Sequence, residues 1–324
     1  MCASELRKRK MDTSLTGLIE MFATTKATEG KSPQTITWYQ RRLKVYAAFL
    51  GPQATLRDIS LASAREFIAQ LQARQTRYAH HPLAPEREGG LSPQTVHGYV
   101  RCLKVFTAWL TDEGFLPQNV LLKLRRPKVP ETMIEVLSDK EIASIFESIS
   151  PNCPLGSRMH TIFMLLLDTG IRAEELCTLT LENTNLDQNY IKVLGKGNKE
   201  RKVNFGANTK KALLRYLTLY RPVSEEKTLF LTNEGHPMTY SALAHIIKRI
   251  GRRTGVERLH THLFRHTFAV RFLCNGGDLI TLKTLLGHVD VSITQIYLKL
   301  TQQNIAEVYS RNSPMDRFDF KKKR

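Results

Sequence analysis

The chain has 324 residues, of which 42% are hydrophobic and 24% charged, and this composition is typical of a folded protein with about two domains. Its 48 Lys and Arg residues outnumber its 30 Asp and Glu residues, giving a formal net charge of +18, which favours nucleic acid first, and an anionic membrane surface second, as the partner. The longest apolar run (162–167) is too short to span a bilayer, no signal-peptide pattern follows the basic residues 7–10, and five scattered cysteines indicate free thiols in a reducing compartment.

The first half of the chain is predicted to be helical and contains an internal repeat. Residues 32–50 and 92–110 both begin with Ser-Pro-Gln-Thr and continue with apolar residues at helical spacing. In each copy Ser is expected to be the N-cap and Pro the first helical residue. Each helix also has a basic face, and we predict that these faces contact DNA through Thr37, Arg41 and Lys44 in the first copy and His97, Arg101 and Lys104 in the second.

Two segments interrupt this helical pattern. Residues 75–90 contain Pro and Gly without any period and are predicted to form a loop. Residues 123–137 are basic, contain prolines, and are predicted to be the linker between domains, with Arg125 and Arg126 as further DNA contacts. The predicted organisation is therefore a basic N-terminal segment (1–13), a helical DNA-binding domain (14–122), the linker (123–137) and a second domain (138–324).

The second domain is predicted to be mostly helical with one hairpin. A capping box at 138–141 begins a helix, and further helices are expected over 161–168, 173–179, 207–220, 239–254, 261–275, 277–286 and 301–310. Residues 190–194 and 200–205 alternate like strands around a turn at 195–198. The predicted fold class is mainly α with a small antiparallel β-sheet (α+β).

Neither a nucleotide nor a metal is predicted to bind. The glycine-rich turn at 195–199 lacks the spacing of a phosphate loop and lies between two strands. His260, His262 and His266 suggest zinc, but no cysteine is near them and the cation Arg265 stands between two of them. No paired-carboxylate magnesium site is evident. We therefore expect no cofactor and no metal.

Four segments together resemble the motifs of the tyrosine recombinases, also called the phage integrase family. Residues 169–176 resemble the first arginine box, residues 262–269 the His-x-x-Arg box, and residues 285–288 with 294–297 the third box that ends in a tyrosine. Residues 195–201 resemble the hairpin with the catalytic lysine, and the repeated helices resemble the core-binding (SAM-like) domain. Phe264 departs from the usual leucine at what is expected to be a buried packing position. The resemblance covers nearly the whole chain.

The resemblance implies a role for each residue that matches a box. Arg172 and Arg265 are expected to bind the phosphate oxygens, because a guanidinium fork matches two oxygens at once. Tyr297 is expected to be the nucleophile and His262 its general base, since a tyrosine with a pKa of about 10 needs help to lose its proton. The other expected roles are Lys196 as general acid, His288 as phosphate donor, Glu175 as a brace for the site, and Lys199 and Arg201 as DNA contacts.

The family resemblance also implies the reaction and the assembly. A two-domain clamp would enclose duplex DNA, and Tyr297 would form a 3′-phosphotyrosyl link that a 5′ hydroxyl reverses. Two DNA sites with two protomers on each imply a homotetramer on DNA, built from a chain that is a monomer or weak oligomer when free. Residues 300–320 are expected to dock on a neighbouring protomer. Action is expected in the cytoplasm, at the bacterial nucleoid, without a membrane partner.

Several alternatives stay open at this point. The biological role is predicted to be integration, excision or resolution of a mobile element, because the 75–90 loop is long for a minimal Xer-like protein; Xer-type dimer resolution is the alternative. A second, different recombinase is left open as a partner. A type IB topoisomerase shares the chemistry, and a catalytically silent DNA-binding protein is the rival from another class, although all six catalytic residues are present.

Overall fold

The computed structural model describes residues 13–77, 87–130, 134–195 and 199–287. The chain divides into two compact units, Met1–Thr132 and Met133–Arg324, and this division lies within the segment predicted as the linker. Leu124 is buried in the core of the first unit and Leu137 in that of the second, so both units extend into that segment. No helix in the described ranges is long and apolar enough to cross a membrane.

The first unit is a small helical bundle. Its elements are α1 (Leu15–Thr28), α2 (Pro33–Leu50), a 3₁₀ turn (Leu56–Asp58), α3 (Leu61–Ala73), β1 (Thr76–Arg77), β2 (Arg87–Glu88) and α4 (Pro93–Asp112). Phe22 of α1 lies at the centre of an aromatic core, with edge-to-face contacts to Tyr39, Phe106 and Trp109 at 5.3–5.4 Å between ring centroids. Such contacts stabilise a core beyond the burial of area alone.

The two repeated sequences form α2 and α4, which begin in the same way. Ser32 and Ser92 have identical N-cap dihedral angles, φ −63° and ψ 149°, and their hydroxyls accept the backbone N–H of Thr35 and Thr95, respectively. Each helix then starts with proline, whose missing N–H costs nothing in the first turn. The repeat read from the sequence is therefore a repeat of structure.

One position distinguishes the two copies. Trp38 in α2 corresponds to Gly98 in α4, and the two helices meet there. The guanidinium of Arg42 stacks on the indole of Trp38 with its carbon 4.0 Å from the ring centroid, and a Cβ built on Gly98 would lie 3.4 Å from Arg42 Nε. Gly98 thus lies against this stack at ordinary van der Waals distance.

Part of the predicted loop at 75–90 is a short ladder. Thr76 pairs with Glu88, and Arg77 with Arg87, in an antiparallel arrangement. Two residues per strand are too few to produce a readable alternation in the sequence.

The second unit is mostly helical with one sheet. Its elements are α5 (Asp139–Glu147), α6 (Pro154–Thr169), α7 (Ala173–Cys177), β3 (Thr184–Asn185), β4 (Tyr190–Gly195), β5 (Lys199–Asn204), α8 (Ala207–Arg215) with a π-helical continuation (Tyr216–Tyr220), α9 (Tyr240–Arg253), α10 (Thr261–Cys274) and α11 (Leu279–Leu286). The predicted fold class is confirmed. The predicted helix over 301–310 lies outside the described residues.

The core of the second unit is built around α6 and α10. Phe163 and Phe264 are fully buried, and their ring centroids lie 4.7 Å apart. Phe264 is therefore a packing residue, as expected. The sheet has the strand order β3-β4-β5, both pairs being antiparallel, and Tyr190 faces Asn204 while Gly195 faces Lys199. The hairpin was predicted, whereas the two-residue strand β3 was not.

Candidate active site

Three of the six predicted catalytic residues lie in the described part of the chain. They are Arg172, His262 and Arg265. Lys196, His288 and Tyr297 lie outside the described residues, as does the proposed docking segment 300–320.

Arg172 lies where one helix ends and the next begins. Gly170 ends α6 in the left-handed conformation with φ 60°, and Arg172 is the N-cap of α7. The backbone N–H of Arg172 donates to Glu175 Oε2 at 2.8 Å, and its Nη1 donates to Glu175 Oε1 at 2.9 Å. Its Nη2 points toward the carbonyl of Gly287, with 3.5 Å between the two atoms. The side chain is thus held from both sides.

Arg265 is buried in the middle of α10, with 4% of its surface exposed. Its Nη1 donates to the carbonyl of Gly170 at 2.7 Å, and its Nη2 donates to the carbonyl of Leu286 at 2.6 Å. Arg265 and Arg172 therefore reach two consecutive carbonyls, Leu286 and Gly287, at the end of α11. This brings the first two arginine boxes and the start of the third together in space.

A buried carboxylate joins two of the arginines. Glu175 is 6% exposed, and its two oxygens accept hydrogen bonds from Nη1 and Nη2 of Arg201, both at 2.8 Å. Burial by itself would raise the pKa of Glu175, but the hydrogen bonds and charges of Arg201 and Arg172 lower it overall. Glu175 is therefore ionised, and it braces Arg172 as the resemblance implied.

Arg201 has a different partner from the one predicted. Besides its two bonds to Glu175, its Nε donates to the carbonyl of Leu285 at 2.8 Å, and only 11% of its side chain is exposed. The bidentate pair with the Glu175 carboxylate neutralises the charge of Arg201, whereas the partners of Arg265 are uncharged carbonyls, so we do not propose Arg201 as a DNA contact. The side chain of Lys199, the other predicted contact on this strand, lies outside the described residues.

His262 lies one turn before Arg265 on α10, near the solvent. Partial burial of its imidazole lowers its pKa, and the charges of Arg265, His260 and Arg172 lower it further. The imidazole is therefore neutral near pH 7 and able to accept a proton. His266, one turn further along, has its pKa lowered to about 4, first by burial and then by its charged neighbours.

The three histidines do not form a metal site in the part of the chain that the structure describes. No group of three or more His, Cys, Asp or Glu side chains lies close enough there to hold a metal ion. The ring centroids of His262 and His266 are 6.4 Å apart.

Most of the residues predicted to contact DNA in the first unit are exposed. This holds for Thr37, Arg41, Lys44, Arg101, Arg125 and Arg126, whereas His97 and Lys104 are half-buried. Lys104 has a structural role, because its Nζ donates to the carbonyls of Leu122 (3.0 Å) and Leu124 (3.1 Å). Lys104 thereby holds the segment that carries Arg125 and Arg126.

Sequence reasoning missed Arg42, a half-buried arginine that packs between the two repeated helices. Arg42 stacks on Trp38 and lies 5.3 Å from the ring centroid of Tyr99, and its buried Nε has no hydrogen-bond partner in the described residues. The signal was present, since Trp38 and Arg42 are one turn apart on α2, a spacing at which side chains meet.

The chain matches the model of the phage integrase family over residues 135–304. It is 30% identical to the tyrosine recombinase XerD of Listeria innocua, over 88% of this chain and 94% of that protein. It is 32% identical to the tyrosine recombinase XerC of Staphylococcus carnosus, over 87% and 92% of the two chains.

Solved structures with a similar fold are recombinases. The XerH site-specific recombinase bound to a palindromic difH substrate matches with a TM-score of 0.69 at 21% identity, over 93% of this chain and 85% of that chain. The Tn1549 transposon integrase in complex with circular intermediate DNA matches with a TM-score of 0.70 at 18% identity, over 88% and 95%. At these identities the likeness concerns the fold.

The family model and the recombinase relatives, which the chain covers over most of their length, place this mostly helical protein among the DNA breaking and rejoining enzymes. The chain belongs to the tyrosine recombinases of the phage integrase family.

Proposed function

We propose that this chain is a site-specific recombinase that cuts and rejoins duplex DNA through a 3′-phosphotyrosyl intermediate. The observation that carries the proposal is the meeting of Arg172 and Arg265 on consecutive carbonyls, with His262 one turn before Arg265 on the same helix. Within the described residues, Arg172, Arg201 and Arg265 bring three guanidinium groups to this place and Glu175 is the carboxylate that binds two of them. The excess positive charge suits the phosphoryl oxygens of a transition state.

The reaction assigns one task to each residue. Arg172 and Arg265 bind the non-bridging oxygens, and His288 donates a further hydrogen bond to the phosphate. The hydroxyl of Tyr297 attacks phosphorus and gives its proton to His262. The bond from phosphorus to the 5′ oxygen breaks, and Lys196 supplies the proton that makes a 5′ hydroxyl. A 5′ hydroxyl of the partner duplex then attacks the phosphotyrosine and releases Tyr297. The energy of the phosphodiester bond is retained in the phosphotyrosine ester, so rejoining needs no ATP.

The partners follow from this reaction. We propose duplex DNA bound by the exposed basic residues of the first unit, and a homotetramer on two sites, formed by protomers that are monomers or weak oligomers when free. Related recombinases support duplex DNA as the partner, since XerH is described bound to a difH substrate and lambda integrase as a dimer on a core site. We propose that the enzyme acts in the cytoplasm, at the nucleoid.

Two biological roles compete. We propose recombination of a mobile element first, because the segment between α3 and α4 is longer than expected for a minimal Xer-like protein. Xer-type dimer resolution is favoured by the likeness to XerD and XerC over nearly their whole length. Two assays of the purified enzyme separate these roles. Resolution of plasmid dimers that carry a chromosomal site would favour the Xer-type role, and excision of a DNA element flanking the coding region would favour the mobile-element role.

Covalent capture tests the chemistry. A DNA site is first selected by binding from a random duplex library and then rebuilt with a nick beside the scissile phosphate, so that cleavage traps the protein on the DNA. The wild type should form a covalent adduct. Tyr297→Phe should bind the site within a few fold of wild type and form none, because phenylalanine keeps the ring and removes the nucleophilic oxygen.

A matched control and a second readout complete the test. Tyr240, which is exposed on α9, can be changed to Phe and should leave the adduct yield unchanged. An adduct formed by Tyr297→Phe would refute the assignment. Strand exchange between two duplexes distinguishes the recombinase from a topoisomerase, which would relax one supercoiled plasmid without exchange, and from a silent DNA-binding protein, which would do neither.

A further inference from the structure

Arg201 occupies the junction of three segments that the proposed reaction needs together. It lies on β5, which follows the turn that carries Lys196. Its guanidinium donates to Glu175, the carboxylate that also holds Arg172, and to the carbonyl of Leu285 near the end of α11. Beyond Gly287 the chain leads directly to His288.

The strand register places Arg201 close to the turn of the hairpin. Arg201 faces Val193 on β4, and the last pair before the turn is Gly195 with Lys199. The attachment is therefore two residue pairs from the end of the ladder. Because successive side chains on a strand point to opposite faces, Arg201 shares the inner face with Val203, which is fully buried.

The attachment is also bidentate and largely buried. Arg201 and Glu175 form a bidentate pair with both oxygens and both terminal nitrogens used, and such forks fix orientation as well as distance. The carboxylate is buried, so it has little water to replace a lost partner. A lysine at this position would supply a positive charge but could not form the two parallel hydrogen bonds of a guanidinium.

We propose that Arg201 is a positioning residue that fixes β5, the strand following the turn with Lys196, to Glu175 and to the end of α11, and that proton donation by Lys196 depends on this attachment. This inference rests on the proposed function. It gives Arg201 no contact with DNA and no part in proton transfer. Arg201 affects the reaction only by fixing the position of the hairpin. Replacing Arg201 should therefore reduce cleavage in the same way as replacing Lys196, but to a smaller extent.

The test uses two substrates on the full-length protein. One nicked site has the ordinary 5′ oxygen at the scissile phosphate, and the other has a 5′-bridging sulfur, whose thiolate leaves without a proton donor. The measured quantity is the ratio of the cleavage rate with sulfur to that with oxygen. Because both rates come from the same sample, the ratio does not depend on how much of a variant is folded.

Arg201→Gln should cleave the oxygen substrate about 10²-fold more slowly than wild type, the usual effect of a misplaced group, and the sulfur substrate within about 10-fold. Its ratio should rise in the same direction as that of Lys196→Ala. Arg201→Lys should behave in the same way with a smaller rise. Lys192→Gln, which removes one exposed charge from the neighbouring strand of the same hairpin, should keep the wild-type ratio.

Each other outcome decides against the inference. If Lys196→Ala raises the ratio and Arg201→Gln does not, Arg201 is only a structural residue and the proposed function stands. If both substrates slow equally in Arg201→Gln, Arg201 acts on the phosphate side and not on the hairpin. If Lys196→Ala itself leaves the ratio unchanged, the assignment of the general acid and the inference built on it both fall.

Discussion

Phe268 lies so close to Gly170 that a Cβ built on this glycine would come within 2.2 Å of the phenylalanine ring. The carbonyl of the same glycine accepts a hydrogen bond from Arg265 at 2.7 Å. Arg265 and Phe268 are one turn apart on α10, so the packing of the ring and the anchoring of the arginine depend on the same peptide.

Gly170→Ala should therefore destabilise the protein for two reasons. The left-handed backbone, with φ 60°, costs an alanine about 1–2 kcal/mol, and the clash with Phe268 adds about 1–3 kcal/mol. Gly255→Ala is the matched control, because its φ is 74° and nothing lies within 4 Å of its Cβ position. Urea unfolding should show a larger loss for Gly170→Ala; equal losses would mean that α10 moves aside without cost.

The pH dependence of stability should contain a contribution from His266. Its pKa in the folded protein is about 4, against an ordinary value of about 6.5 when unfolded. The unfolded chain therefore binds the proton more tightly, and stability should decrease as the pH falls from about 6.5 toward 4. His266→Gln should lose less stability over this window than wild type, measured as the urea midpoint at each pH. The exposed His245, changed to Gln, serves as the control, and parallel curves for all three proteins would contradict the prediction.

Arg101 and Lys104 should separate DNA binding from stability. Arg101 is exposed, so Arg101→Ala should reduce the slope of log affinity against log salt by about 1 and leave the unfolding free energy within about 0.5 kcal/mol. Lys104→Met keeps the aliphatic stem but removes both hydrogen bonds to the 122–124 carbonyls, which should cost about 0.5–1.5 kcal/mol for each bond. Unchanged stability in Lys104→Met, with a slope reduced as in Arg101→Ala, would instead make Lys104 a simple phosphate contact.

Cleavage should continue in excess EDTA. Arg172 and Arg265, with Lys196, are expected to meet the charge that a bound cation supplies in other phosphoryl-transfer enzymes. The measurement is the rate of covalent adduct formation with and without the chelator. Loss of the adduct in EDTA, with recovery on adding Mg²⁺ alone, would refute the mechanism.

The local features of this fold could be predicted from the sequence. The N-caps at Ser32 and Ser92 and the pairing of the two hairpin strands depend on residues that are close in the chain. The caps lie where they were predicted, and the strand bounds differ by one residue, giving Tyr190–Gly195 and Lys199–Asn204. The helix predicted over 161–168 begins earlier, at Pro154, because proline is a favoured first residue rather than a break at that position.

The long-range contacts could not be predicted in this way. Arg201 lies between Glu200 and Lys202, and three charged residues in succession are typical of a solvated strand. Its burial depends on Glu175, which is distant in the chain. The one available sign was the alternation that places Arg201 on the same face as Val203 and Phe205, both of them buried. The catalytic roles of all six residues stay predictions, and Lys196, His288 and Tyr297 also lie outside the described residues.

The repeated helices α2 and α4 have the same start and the same periodicity, yet they are not interchangeable. Trp38 is a knob, and Gly98, at the equivalent position, is the hole that accepts it together with Arg42. Two copies with tryptophan would collide at this crossing, and two copies with glycine would leave a gap. Each helix therefore fits the other copy at this crossing better than it would fit a second copy of itself.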